Sequence, residues 1–134
     1  MGWLLDTNAW ILHLKNPGGP IEQRLNRLQP SDVFLCSVVK AELWHGAHKY
    51  GNLEKRLNAL RKMFRPFVSL SFDDPAAQYY GDIRHGLEIH GKTIGPNDLK
   101  IAAICMSNGL TLVSGNISEF GRIAGLAVED WTRA

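Results

Sequence analysis

Short apolar runs, each ending at a polar turn and followed by a helical pattern, recur along this chain and leave it few architectures. Trp3-Leu4-Leu5 ends at Asp6, Val33-Phe34-Leu35-Cys36 at Ser37, and Thr111-Leu112-Val113-Ser114 at Gly115, while Phe67-Val68-Ser69-Leu70 lies just before Asp73. Apolar runs this short fit strands buried on both faces of a sheet. Leu126-Ala127-Val128 is a fifth candidate. Between them come helical spacings. One helix starts at Thr7 or Asn8 and runs through Leu14. Another carries Ile21, Leu25 and Leu28 and is closed by Pro30. Ser37 is placed to cap a helix through Val38, Val39, Leu43, Ala47 and Tyr50 up to Gly51. Leu53, Leu57, Leu60, Met63 and Phe64 make a separate basic helix. Asp73 to His90 reads as helical with Pro75 in its first turn, and Gly95-Pro96-Asn97-Asp98 opens a helix through Ser107 that Gly109 ends. The alternation predicts one α/β domain over residues 1–134, with a mainly parallel sheet of about five strands flanked by helices. In such sheets, functional groups gather beyond the carboxyl ends of the strands. That rule selects Asp6 with Thr7 and Asn8, Ser37, and the Ser114-Gly115-Asn116 turn.

Composition excludes several classes. Hydrophobic residues at 45% and charged residues at 21% are ordinary globular usage, not that of disordered or collagen-like chains. A net charge of +2 is not that of a histone-like basic protein, although local charge matters more than the sum for a nucleic-acid partner. Two cysteines in apolar settings, Cys36 and Cys105, make no disulfide scaffold and suggest a reducing cytoplasm. Met1 to Asp6 has neither the basic region of a signal peptide nor the length of a membrane span. No glycine-rich phosphate loop of the dinucleotide or nucleotide-triphosphate kind is present, which disfavours a dehydrogenase or an NTPase.

Four acids lie away from plainly solvated stretches. Asp6 ends an apolar strand, and Glu42 sits mid-helix between Val38-Val39 and Leu43-Trp44. Asp98 stands one turn before the wholly apolar Ile101-Ala102-Ala103-Ile104-Cys105, and Glu119 follows the fourth strand. Glu54, Glu88 and Asp130 read as solvated. Singly, Asp6 could cap the next helix, and Asp98 and Glu119 could favour helix N-termini. Glu42 could belong to a salt bridge or a helix edge. Together, several carboxylates near one another need cations to compensate them. Oxygen donors without a His or Cys cluster suit Mg²⁺ or Mn²⁺, which take phosphate oxygens as further ligands. Such a site is equipped for metal-assisted phosphodiester hydrolysis.

Four segments in order carry a resemblance. Leu4-Leu5-Asp6-Thr7-Asn8, Ser37-Val38-Val39-Lys40-Ala41-Glu42-Leu43 with Gly46, Asn97-Asp98-Leu99-Lys100-Ile101-Ala102-Ala103 and Gly115-Asn116-Ile117-Ser118-Glu119-Phe120 resemble PIN-domain ribonucleases. Among these, the similarity is to VapC-type toxins of bacterial toxin–antitoxin pairs, and Gly125 to Trp131 is similar to their C-terminal strand. The resemblance implies that Asp6, Glu42 and Asp98 bind the metal and that Glu119 is the fourth catalytic carboxylate. Many PIN domains have Asp where this chain has Asn116, while many VapC-type toxins have Asn there and Glu three residues later. Asn116 is therefore assigned as a positioner of water or phosphate. Thr7 and Ser114 would be supporting hydroxyls, and Asn8 would help fix the first turn. The implied activity is a Mg²⁺- or Mn²⁺-dependent endoribonuclease leaving 5′-phosphate and 3′-hydroxyl ends. Its implied substrate is transfer RNA, with the initiator anticodon loop as the target. The implied assembly is a homodimer, held inactive in a hetero-oligomer with a VapB-like antitoxin.

Charge is segregated. Residues 49–65 hold six cations (Lys49, Lys55, Arg56, Arg61, Lys62 and Arg65) against Glu54, a local +5, leaving −3 elsewhere. A solvated helix face accounts for this on charge alone. Beside a carboxylate site it becomes a candidate track for RNA, with Lys49, Lys55, Arg56, Arg61 and Lys62 as the contacts. In the family resembled, this neighbourhood also helps form the antitoxin groove. His45 and His48 lack a third ligand at zinc spacing, and Trp3, Trp10, Trp44 and Trp131 read as core or dimer-interface residues, with Trp10 and Trp44 the two to test as partner contacts. Two rival readings remain: a nuclease or phosphatase of this fold acting on other RNA or DNA, and a non-catalytic binding module.

Overall fold

The computed structural model describes residues 1–133. Five strands form one sheet: β1 (Trp3–Leu5), β2 (Val33–Cys36), β3 (Val68–Leu70), β4 (Thr111–Val113) and β5 (Val128–Glu129). Their order is β3-β2-β1-β4-β5, and every neighbouring pair is parallel. Parallel pairing needs crossovers, and helices supply them: α1 (Thr7–Lys15), α2 (Pro20–Leu25), α3 (Ser37–Ala47), α4 (Leu53–Phe64), α5 (Asp74–Ile89), α6 (Pro96–Ser107) and α7 (Ile117–Phe120). The central strand β1 is inaccessible at Leu4 and Leu5, as are Leu112 and Val113 of β4. Helix α6 is buried from Leu99 to Cys105 on nearly all sides, which its continuous apolar sequence required. Cys36 and Cys105 are buried free thiols. No helix among the described residues is long and apolar enough to cross a membrane.

Several boundaries differ from the sequence reading, each for a local reason. Helix α2 ends at Leu25, because Arg27 and Leu28 close tight turns onto Arg24 and Leu25. Helix α3 stops at Ala47, leaving Tyr50 exposed under the Arg56 guanidinium. Cys36, not Ser37, occupies the cap position of α3, and Ser37 is its exposed first residue. The last strand begins at Val128 rather than Leu126, after a turn at Gly125 whose φ of +84° favours glycine. Trp10 is not a surface contact: it is fully buried, with its ring 5.3 Å from that of Phe67. Trp44 is 42% exposed and lies edge-on to Phe64.

Candidate active site

The carboxyl ends of β1, β2 and β4 open on the same edge of the sheet, and the four acids meet there. Asp6 follows β1 directly. Its backbone N–H donates to the Val113 carbonyl at 3.0 Å, extending the β1–β4 ladder. Its Oδ1 accepts the Ala9 N–H at 2.9 Å, so Asp6 caps α1 and also faces the site. Asp6 is 4% exposed, and the nearby Ser114 side chain favours its charged form. Glu42 comes in from α3, half-buried, and its Oε1 accepts the Thr7 hydroxyl at 2.6 Å. Asp98 lies in the first turn of α6, and Glu119 in the first turn of α7. The Asn116 amide donates to Glu119 at 2.7 Å, while the Asn116 backbone N–H donates to Ser114 Oγ at 2.9 Å. Asn8 is exposed in the first turn of α1, and no bond from its side chain is found among the described residues.

Electrostatics show how close these groups are. Burial raises Asp6 above the ordinary carboxylate value, and the charge of Glu42 raises it further. Asp98 is pushed up to about 6, first by burial and then by Glu119, Asp6 and Glu42. Each of the other three acids therefore acts on Asp98. No basic side chain figures among the influences on either group. A carboxylate cluster without protein cations is a site with its counter-charge missing.

A hard divalent ion fits that deficit. The donors are all oxygens, the set that suits Mg²⁺ or Mn²⁺. Among the described residues no three metal-binding side chains form a ready-made cage. Thr7 and Asn116 each hold one of the four acids by a hydrogen bond. Mg²⁺ does not need such a cage, since it keeps several waters and takes one or two carboxylates directly.

One neighbour escaped the sequence reading. Asp130, read as solvated, lies close enough to Asp6 for its charge to raise that group. The signal was available, because Asp130 follows β5 at the same carboxyl edge. Part of the basic segment also reaches the site. A cleft of about 400 Å³ between α1, α3 and α4 is lined by Glu42 together with Lys15, Lys49 and Arg56, over a floor that includes Ile11 and Leu60. Lys55, Arg61 and Lys62 are exposed elsewhere on α4.

Comparison with known proteins decides the family. The family model described as the PIN domain matches residues 3–126. The chain belongs to the PIN domain family. Within it, this PIN domain is 35% identical over 130 residues to the tRNA(fMet)-specific endonuclease VapC of Shigella flexneri, covering 97% of this chain and 98% of that one. It is 34% identical over 129 residues to Ribonuclease VapC2 of Haemophilus influenzae, covering 96% and 97% respectively. Among solved structures, DNA-bound VapBC from Salmonella typhimurium superposes with a TM-score of 0.92 at 34% identity, covering 98% of both chains. VapBC-1 from nontypeable Haemophilus influenzae gives 0.88 at 33% identity, covering 99% of this chain and 100% of that chain. The five-stranded parallel sheet is thus that of a VapC-like PIN domain.

Proposed function

We propose that this PIN domain is a Mg²⁺- or Mn²⁺-dependent endoribonuclease toxin, working in the cytoplasm and restrained by a VapB-like antitoxin. The observation that carries the reading is the convergence of Asp6, Glu42, Asp98 and Glu119 at one sheet edge, with no ion pair to any of them among the described residues. Relatives named ribonucleases support an RNA substrate, and those named for tRNA(fMet) support initiator transfer RNA. Structures titled VapBC support the antitoxin partner, and a homodimer bound to it as a hetero-oligomer is the assembly proposed.

In this mechanism Asp6, Glu42 and Asp98 hold the ion, and Glu119 is the fourth carboxylate facing the substrate. When bound, the ion supplies charge neutralisation of the scissile phosphate and a more acidic water. The protein supplies orientation. Thr7 fixes Glu42 through its hydroxyl proton, and the Ala9 N–H fixes Asp6. The Asn116 amide fixes Glu119. Glu119, outside the proposed ligand set, would accept a proton from the attacking water. Lys49 and Arg56 on the cleft wall give the RNA backbone its counter-charge near Glu42.

The test is cleavage of purified transfer RNA by the wild type and by Asp6→Asn, with Mg²⁺ and with a chelator. The expected result is metal-dependent cleavage by the wild type and none by a folded Asp6→Asn protein. Retained cleavage by that variant overturns the mechanism.

A further inference from the structure

Residues 130–132 run past the carboxyl end of β5, and their contacts lead back to the acids. Strand β5 pairs with β4 through Val113 and Glu129, and Ser114 N–H donates to the Glu129 carbonyl at 3.0 Å. Asp130 therefore leaves the sheet beside the Ser114–Asn116 turn. Its carboxylate accepts the Thr132 backbone N–H at 2.8 Å and the Thr132 hydroxyl as well. These bonds fold the chain back, so that the Thr132 side chain lies over Gly115. A Cβ placed on Gly115 would stand 3.4 Å from Thr132 Cγ2 and 3.7 Å from its Oγ1.

Gly115 is flanked by two residues that the site uses. Asp6 donates its N–H to the Val113 carbonyl directly before Ser114, Ser114 accepts the Asn116 N–H, and Asn116 holds Glu119. We propose that Asp130 and Thr132 are positioning residues of the nuclease site, a latch that fixes the Ser114–Asn116 turn and through it the Asp6 and Glu119 carboxylates. The inference rests on the nuclease reading above. Packing of the segment is a separate matter: Trp131 is 1% exposed and donates its indole N–H to Glu129 at 3.0 Å. Loss of the latch bonds should therefore loosen the turn while the segment stays docked.

The experiment compares Asp130→Ala, Thr132→Val and Thr132→Ser with the wild type, with Asp6→Asn as reference. Three quantities are measured on the full chain: kcat and KM for RNA, Mn²⁺ affinity by calorimetry, and melting in chelator. Groups that orient ligands from behind typically account for about tenfold or more in metal affinity or activity. Asp130→Ala and Thr132→Val are expected to lose about tenfold in kcat at unchanged KM and to bind Mn²⁺ more weakly. Thr132→Ser keeps the hydroxyl and is expected to restore most of both. Wild-type kcat and Mn²⁺ affinity in Asp130→Ala and Thr132→Val overturn the latch. So does a loss that Thr132→Ser shares in full, or one that tracks melting in chelator. If Asp6→Asn is inactive and Asp130→Ala is not impaired, only the latch falls. If Asp6→Asn cleaves normally, the nuclease reading falls with it.

Discussion

Replacing Asp98 by Asn should make the metal-free protein more stable while making the metal-bound protein less so. Asp98 is half-buried, and its carboxyl is raised from 3.8 to about 6 by burial and by Glu119, Asp6 and Glu42. At about 1.4 kcal/mol per pH unit, that difference is worth roughly 3 kcal/mol against the charged form. Solvent at a half-buried position screens it to about 1–2 kcal/mol. A carboxyl raised in the folded state binds its proton more tightly there than in the unfolded chain. Its penalty is therefore absent when both states are protonated, grows as pH rises from about 4 to about 6, and is complete above that. Asn carries no charge at any pH. In chelator near pH 7.5, Asp98→Asn should melt about 3–8 °C above the wild type, given the size of the chain. Near pH 4 the gain should largely vanish. Saturating Mn²⁺ should raise the wild-type melting temperature and raise that of the variant less. Thermal unfolding followed by circular dichroism at both pH values, with and without Mn²⁺, measures all of this. An equal gain at both pH values, or none near pH 7.5, refutes the raised Asp98 carboxyl, held up by burial and by its acidic neighbours, as its source.

Three further outcomes follow from particular contacts. Thr7→Val removes the hydroxyl that holds Glu42 at 2.6 Å, and kcat for RNA should fall about tenfold without loss of fold, read by steady-state cleavage. Joint replacement of Lys49 and Arg56, which line the cleft beside Glu42, by Ala should raise KM and flatten the dependence of binding on salt, measured by RNA titration at several ionic strengths. Trp10→Ala should cost about 3–5 kcal/mol in urea unfolding, because the ring is fully buried against Phe67; a small loss would contradict its place in the core.

The alternation of apolar runs and helical spacings made the parallel sheet legible, because strands buried on both faces must be apolar throughout. Asp6, Glu42, Asp98 and Glu119 stood out because each carboxylate adjoins an apolar or strand-end context. Other features were hidden for physical reasons. Helix α7 has four residues, too few to show a period. Sequence could not choose between core and partner contact for Trp10, because a tryptophan on a short helix looks the same whether its face meets Phe67 or solvent. Asp130 was passed over because it sits in a polar stretch: its place after the last strand was legible, but its nearness to Asp6 depends also on β5 lying beside β4. The reach of Lys49 and Arg56 toward Glu42 depends likewise on how α3 and α4 pack.

The central claim is that Asp6, Glu42 and Asp98 hold a divalent ion. Crystals of the wild-type chain grown with Mn²⁺, measured for anomalous scattering, test it most directly. The account predicts a Mn²⁺ peak within about 2.0–2.3 Å of carboxylate oxygens from the set Asp6, Glu42 and Asp98, lost in Asp6→Asn crystals. An ion bound elsewhere, or an empty cluster in crystals of a protein that cleaves RNA in the same Mn²⁺ buffer, would contradict it.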